Sequence, residues 1–233
     1  MDSLSGLFAL ALAPGIYLAI VIYGKDKYER EPKRILLAAF LMGAFSIIPA
    51  ALIELFGIRF FHIQEASLSS AALEAFVVVA FTEESCKFLI LRFHAFKEKE
   101  FKKPFDGIVY GAFVALGFAT AENLMYVLRG GFSTGVLRMF SAVPAHYAFG
   151  VTMGYFVGKA KFEPEVKTSH MLKGLLFATL LHGAYDFFLI QKNYQMLGIF
   201  SVGVLIYSLM ISRKEIRELE EDSIFRFKNA SEA

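Results

Sequence analysis

The chain has 233 residues, of which 56% are hydrophobic and 20% charged, and its mean hydropathy is +0.52. So positive a mean hydropathy is rare in soluble domains and is typical of an integral membrane protein. A net charge of +2 argues against a nucleic-acid-binding protein, which normally has a basic face. The single cysteine, Cys86, excludes an internal disulfide and a cysteine-based zinc cluster.

Seven apolar stretches approach the roughly 20 residues that a helix needs to cross a bilayer. In chain order they are residues 4–23, 35–57, 71–93, 107–128, 136–158, 171–190 and 195–212. The first stretch lacks the basic start and the cleavage site of a signal peptide, so we interpret it as a retained span. Runs of this length favour helices over barrel strands. The sequence predicts an all-α, polytopic transmembrane bundle of about seven spans in the cell membrane.

Basic residues set the predicted orientation. Most of the 24 lysine and arginine residues fall in the first, third and fifth loops and in the C-terminal tail, whereas the fourth loop is counted with only Arg129 and Arg138. The positive-inside rule then places the N-terminus outside the cell and the C-terminus in the cytoplasm. We accordingly divide the chain into a transmembrane domain, residues 1–212, and a charged cytoplasmic tail, residues 213–233.

Ionisable side chains inside the predicted spans are costly and usually functional. They are Glu83, Glu84, Lys87, Glu122 (beside Asn123), His146, His182 and Asp186. A rise of about 1.5 Å per residue puts Glu83, His146 and His182 near mid-membrane and Glu122 closer to the outer surface. Glu54 lies near the end of a span, from where its side chain can reach the interface.

Helical spacing predicts how these groups interact. Lys87 follows Glu83 by four residues and Glu84 by three, so it can pair with either carboxylate. Two adjacent carboxylates cannot both ionise cheaply at low dielectric, and if Lys87 neutralises one, the other can act as a general base toward water. A histidine can donate to an oxyanion, and Asp186 can fix the tautomer of His182, which shares its helix face. This chemistry suits a peptidase, although the residues alone leave proton relay and ion transport open.

Other motifs add little to the catalytic picture. The chain has neither a Gly-x-Ser-x-Gly nucleophile elbow nor a His-Glu-x-x-His zinc motif. Glycines in the fourth and fifth spans instead predict closely packed helix faces. They are Gly111, Gly117, Gly150, Gly154 and Gly158.

An ordered set of motifs covers nearly the whole chain. It comprises Ala13-Pro14-Gly15, Lys25-Asp26-Lys27-Tyr28, Glu31-Pro32, Glu83-Glu84-Ser85, Asp106-Gly107 to Ala112, Leu116-Gly117 to Thr120, Glu122-Asn123, His146, Met153-Gly154, Gly158-Lys159-Ala160, Leu181-His182-Gly183 and Tyr185-Asp186-Phe187. In this order the chain resembles PrsW-type membrane proteases, the site-1 proteases of membrane-anchored anti-sigma factors and relatives of the type II CAAX prenyl endopeptidases.

The resemblance implies a catalytic role for Glu83, Glu84 and His182. In Phe118-x-x-x-Glu122 a glutamate stands where CAAX-type members have a histidine, which fits the PrsW branch. Lys87 stands one residue before the position at which CAAX-type members carry an arginine. Both departures bear on whether the CAAX mechanism transfers intact.

We therefore expect a membrane-embedded endopeptidase that makes the site-1 cut in a membrane-anchored anti-sigma factor with glutamate-activated water. The expected catalytic residues are Glu83 as general base, tuned by Glu84 with Lys87, then Glu122 and His146, which position water or substrate, and His182 with Asp186, which stabilise the oxyanion. Asn123 is expected in support. We favour a glutamic mechanism without a cofactor. The alternative is a zinc ion held by Glu83, Glu122, His146 and His182.

Three other functions stay open from the sequence. One is CAAX-type processing of lipidated substrates, which would require a prenylated cysteine in the substrate. A second is a non-catalytic membrane scaffold or immunity protein. The third, a proton-coupled transporter, is disfavoured because the chain lacks repeated halves.

Overall fold

The computed structural model of the chain describes residues 4–26, 29–63, 67–191 and 194–232, and these residues form helices and no strands. Lys27 and Tyr28 of the first-loop motif lie outside the described residues. The helices are α1 (Leu4–Lys25), α2 (Lys33–Phe45), α3 (Ile47–Phe60), α4 (Leu68–Ala72), α5 (Phe81–Phe93), α6 (Pro104–Phe140), α7 (Ala142–Phe162), α8 (Lys167–Ile190) and α9 (Ile199–Glu232). A π-helical segment, Leu73–Ala80, joins α4 to α5.

Five helical stretches among the described residues are long and apolar enough to cross a membrane. They are Leu4–Lys25, Lys33–Phe60, Pro104–Phe162, Pro164–Ile190 and Met196–Ser223. The all-α membrane bundle is thus confirmed. The predicted third span, residues 71–93, is not among the five stretches, and its apolar sequence is interrupted by charged residues. Seven crossings and the orientation of the termini stay predictions.

Glycines bring α6 and α7 into direct backbone contact. A Cβ atom on Gly111 would collide with the carbonyl oxygen of Gly150, and one on Gly107 would lie 2.5 Å from that of Gly154. Small residues at such positions let membrane helices approach closely, as the glycine spacing predicts. The two helices run antiparallel, with residue 107 near 158 and residue 115 near 150. Continued by one turn, this register brings His146 of α7 beside residue 119 of α6, within one turn of Glu122.

Pro14 in α1 explains the asparagine beside Glu122. Proline has no backbone N–H, so the carbonyl oxygen of Leu10 loses its partner within the helix. Nδ2 of Asn123 donates to this oxygen at 3.3 Å and to the carbonyl oxygen of Ala11 at 3.1 Å. Asn123 thereby joins α1 to α6 and satisfies a carbonyl that water cannot reach inside a bilayer.

The last part of α6 reverses direction at Gly131. This residue has φ 73° and ψ −163°, a conformation that favours glycine, and the residues on both sides of it are helical. We call residues 132–140 the return segment, because they run back alongside the preceding part of α6. The segment is followed by Ser141, which also departs from helical geometry. Arg138, a loop charge by the sequence prediction, reaches Glu122 from the return segment.

The polar end of the chain continues α9 without a break through the predicted boundary at residue 212. Thr152 and Tyr155 of α7 donate hydrogen bonds to Glu215 and Glu218 of α9, at 2.8 Å and 2.5 Å. Leu219 is buried beside them. The first part of the predicted tail therefore packs on the bundle.

Candidate active site

The two adjacent glutamates lie in the first turn of α5, directly after the π-helical segment. Such segments occur frequently at functional sites, because they shift the side chains that follow relative to a regular helix. Glu84 is fully buried, whereas Glu83 keeps an exposed fraction of 5%. Both carboxylates face Lys87 one turn later on the same helix.

Lys87 makes hydrogen bonds to residues of two helices, α5 and α7. Its Nζ atom lies 3.1 Å from Oε2 of Glu83, 2.7 Å from Oε1 of Glu84 and 3.1 Å from Nδ1 of His146. An ammonium group has three protons, and these three acceptors use them all. The charge also lies 4.1 Å from the centre of the Phe118 ring, a favourable cation–π distance. The sequence predicted a pair with one glutamate, and the structure has both pairs.

The contact with Lys87 assigns the tautomer of His146. Because an ammonium group can only donate, Nδ1 of His146 must accept, and in the neutral ring the proton is then on Nε2. That nitrogen lies 3.0 Å from Oε2 of Glu122, so it donates to the carboxylate. Glu122 is therefore joined to the buried centre, although straight-helix arithmetic placed it nearer the outer surface.

His182 on α8 lies between two carboxylates. Its Nδ1 is 2.8 Å from Oε1 of Glu84, and its Nε2 is 3.1 Å from Oδ2 of Asp186. Without a metal ion, both contacts are hydrogen bonds only when the ring carries two protons. The contact with Asp186 agrees with their spacing on one helix face. Nε2 of His182 also lies 3.9 Å from Oε2 of Glu83.

Aromatic side chains enclose the two histidines. The ring of Phe149 stacks on His182 with a centroid distance of 5.1 Å, and Phe118 lies 5.8 Å from the ring of His146. The two imidazoles meet edge to face at 5.0 Å. These apolar walls keep the dielectric low, so the charged hydrogen bonds within them are strong.

All eight residues that the sequence singled out belong to one network. In order of contact it runs through Asp186, His182, Glu84, Lys87, His146, Glu122 and Asn123, with Glu83 bound to Lys87. Arg138 supplies the link between the last two. Its Nη2 lies 2.6 Å from Oε2 of Glu122, and its Nε lies 3.1 Å from Oδ1 of Asn123.

Sequence reasoning missed two members of this neighbourhood. Arg138 was assigned to a loop, and the signal that could have found it is the Gly130-Gly131 pair, which permits a chain reversal before an arginine in an apolar run. Glu54 of α3 was assigned to the membrane interface. It is only partly exposed and interacts electrostatically with Glu122, His182 and Lys87.

Four buried residues could hold a metal ion. They are Glu83, Glu84, His146 and His182, each of which offers one ligand atom within 4.8 Å of the others. Two imidazoles and two carboxylates are donors that suit Zn²⁺. Oε2 of Glu84 is buried and has no hydrogen-bond partner within the described parts of the chain, which also fits a cation ligand. This set contains Glu84 where the sequence suggested Glu122, whose carboxylate binds Arg138 on the far side of His146.

A metal ion and Lys87 would compete for the same atoms. The ammonium group already contacts three of the four residues in the set. In this arrangement Lys87 supplies the positive charge that a cation would supply. The four donors could therefore hold a metal ion, and in this structure Lys87 provides the positive charge in its place.

Comparison with known proteins gives the family. The family model for the PrsW family intramembrane metalloprotease matches residues 31–212. The protease PrsW of Geobacillus kaustophilus is 38% identical over 80% of this chain and 81% of its own length. Those of Clostridioides difficile and Bacillus subtilis are each 34% identical, over 90% and 78% of this chain and 90% and 82% of their own lengths. No solved structure matches the chain significantly. The protein is a multi-pass protein of the cell membrane, and the chain belongs to the PrsW family of intramembrane proteases.

Proposed function

We propose that the protein is an endopeptidase that makes the site-1 cut in a membrane-anchored regulatory protein of the anti-sigma-factor type, using water activated by Glu83. The proposal is carried by the unequal environments of the two adjacent glutamates. Oε1 of Glu84 accepts from both Lys87 and His182, and this residue has no exposed surface. Glu83 makes a single hydrogen bond, to Lys87 through Oε2, among the residues described. Its other oxygen is thus free to accept a proton from water.

The cleavage begins with that proton transfer. As Glu83 takes a proton from water, the water oxygen bonds to the carbonyl carbon of the scissile peptide, and the carbonyl electron pair moves onto its oxygen. Nε2–H of His182, which Asp186 orients, is shared with the oxyanion as a bifurcated hydrogen bond. The carboxylic acid of Glu83 then returns its proton to the amide nitrogen as the C–N bond breaks. Lys87 holds Glu84 as an anion throughout.

The family description implies a metal ion. If one binds, Glu83, Glu84, His146 and His182 would hold it, and the ion would polarise the scissile carbonyl and lower the pKa of a bound water. Asp186 fixes the orientation of His182, and Glu122 fixes that of His146.

The test is cleavage of a single-pass, anti-sigma-factor-like substrate by purified protein in proteoliposomes. Wild-type protein is compared with Glu83→Gln, and each is assayed with and without prior treatment with a metal chelator. We expect cleavage by the wild type and none by the variant at equal folded content. Inhibition by the chelator, reversed by added Zn²⁺, would assign the metal-dependent form.

Two results would contradict the proposal. Equal cleavage by Glu83→Gln and wild type would remove Glu83 as the base. Failure of the wild type to cut this substrate, when a prenylated peptide is cut, would favour CAAX-type processing instead.

A further inference from the structure

Arg138 belongs to an element that does not cross the membrane as a continuous helix, yet it reaches the catalytic network. The return segment is bounded by Gly131, with its positive φ, and by Ser141, with φ −123° and ψ −80°. Phe132, Leu137 and Phe140 on this segment are more than half exposed, at 53%, 68% and 70%. The side chain of Arg138 has an exposed fraction of only 14%. The segment thus directs its charge inward and its apolar side chains outward.

The guanidinium group of Arg138 fixes two acceptors on α6. Its Nη2 donates to Oε2 of Glu122 at 2.6 Å, while its Nε donates to Oδ1 of Asn123 at 3.1 Å. It also lies 4.1 Å from the centre of the Tyr126 ring. Arginine can hold two acceptors at once because its donors form a rigid, planar fork, whereas lysine offers a single point charge.

The oxygen of Glu122 that binds Arg138 is also the oxygen that binds His146. Nε2 of His146 lies 3.0 Å from this oxygen, and the opposite nitrogen of the ring accepts a hydrogen bond from Lys87. The imidazole is therefore held at both ends. One end is fixed by α5, and the other depends on Glu122 and, through it, on the return segment.

We propose that Arg138 is a positioning residue, which holds the carboxylate of Glu122 so that His146 keeps one tautomer and one orientation beside Lys87. Loss of the guanidinium leaves the Glu122 carboxylate without its charged partner in a low-dielectric site, and the carboxylate is then no longer fixed in the position that holds Nε2–H of His146. The return segment thereby couples the backbone at Gly131 and Ser141 to the geometry of the site.

The first test does not need enzymatic activity. The chain has five histidines, so ¹⁵N-histidine labelling in nanodiscs gives few ring signals, and His146→Gln identifies the signal of His146. In wild-type protein we expect one His146 tautomer with a protected proton on Nε2. In Arg138→Gln we expect this proton to exchange with water at least about tenfold faster. Arg138→Lys should lie between the two, because it restores the charge but not the fork.

Arg129→Gln is the matched control. Arg129 lies near the end of the same helix, before the reversal, and its side chain is exposed. This substitution removes one positive charge from the same region without touching Glu122. We expect the His146 signal to be unchanged. Equal exchange in wild type and Arg138→Gln would overturn the proposal, because Arg138 would then be only a structural ion pair.

The second test is kinetic and rests on the proposed peptidase function. Arg138→Gln should lower kcat by about tenfold or more and change KM by less than about twofold. The double variant with Glu122→Gln should be no slower than the slower single variant, because both act through His146. A rise in KM alone, or additive effects, would overturn the positioning role. If wild-type protein does not cleave, the proposed function fails, and the histidine signals still decide the role of Arg138.

Discussion

Nζ of Lys87 on α5 and Nδ1 of His146 on α7 lie 3.1 Å apart, although 59 residues separate them in the chain. Through this contact, Lys87 links the glutamate pair on α5 to His146 on α7. It also determines which nitrogen of His146 carries the proton, since lysine can only donate. The ammonium group therefore acts as the central cation of the site, with three acceptors around it.

We expect Lys87→Met to destabilise the protein and to abolish cleavage. The substitution leaves the carboxylates of Glu83 and Glu84 buried without their cation, and breaking a buried ion pair in this way costs about 3–5 kcal/mol. Thermal unfolding in detergent measures the loss of stability. The exposed Lys99 provides a control, and Lys99→Met should unfold at the wild-type temperature. A Lys87→Met variant as stable as wild type would show that another cation compensates the carboxylates.

The two glutamates should differ when each is changed to glutamine. Glu84→Gln removes a charged acceptor shared by Lys87 and His182, so the free energy of unfolding should fall by about 1–3 kcal/mol. Glu83→Gln removes the proposed base but only one hydrogen bond. We expect it to lower the cleavage rate by about a hundredfold or more at nearly wild-type stability. Paired measurements of unfolding temperature and cleavage check this, and the reverse order of stability would contradict the assignment of roles.

The contacts within single helices could be predicted from the sequence. Glu83 with Lys87 and His182 with Asp186 follow from helical spacing alone, and both pairs are present. The glycine positions likewise predicted a close helix pair, because a Cβ atom has no room there. These features depend on local geometry that every α-helix shares.

Contacts between elements could not be predicted in the same way. The depth estimate for Glu122 assumed regular, straight helices, whereas the chain contains a π-helical segment before α5 and a reversal at Gly131. The reversal brings Arg138 next to a residue that lies 16 positions earlier. The backbone conformation of Gly131 thus places Arg138, which the sequence predicts to be a loop charge, beside the site.

The contact between α6 and α7 should be sensitive to a single methyl group. We expect Gly111→Ala to lower the free energy of unfolding by about 1–3 kcal/mol, because the new Cβ would overlap the backbone at Gly150 and Gly154. Gly203→Ala on α9 is the control, since no described residue beyond its own stretch of helix lies within 4 Å of its Cβ position, and its effect should stay below about 1 kcal/mol. Unfolding of both variants in the same detergent makes the comparison. Equal stability would show that the helices separate without cost.

Glu31, in the loop between α1 and α2, should make the stability depend on pH. It is buried and accepts a hydrogen bond from the hydroxyl of Tyr110. Burial raises the pKa of Glu31 from 4.5 to about 8; the Tyr110 hydrogen bond and the charge of Lys103 oppose the rise, and Asp106 adds to it. Because the folded protein binds this proton more tightly than the unfolded chain, the stabilising contribution is complete below pH 4.5 and is lost as the pH rises through about 8.

We therefore expect the free energy of unfolding to fall as the pH is raised over this window, and Glu31→Gln to remove that part of the slope. The measurement is chemical unfolding in detergent at several pH values between about 5 and 8. Glu165→Gln is a suitable control, since Glu165 is exposed in the turn before α8 and should leave the slope unchanged. Identical slopes for wild type and Glu31→Gln would mean that Glu31 stays ionised in the folded protein. The charges of Lys103 and its neighbours would then outweigh the cost of burial.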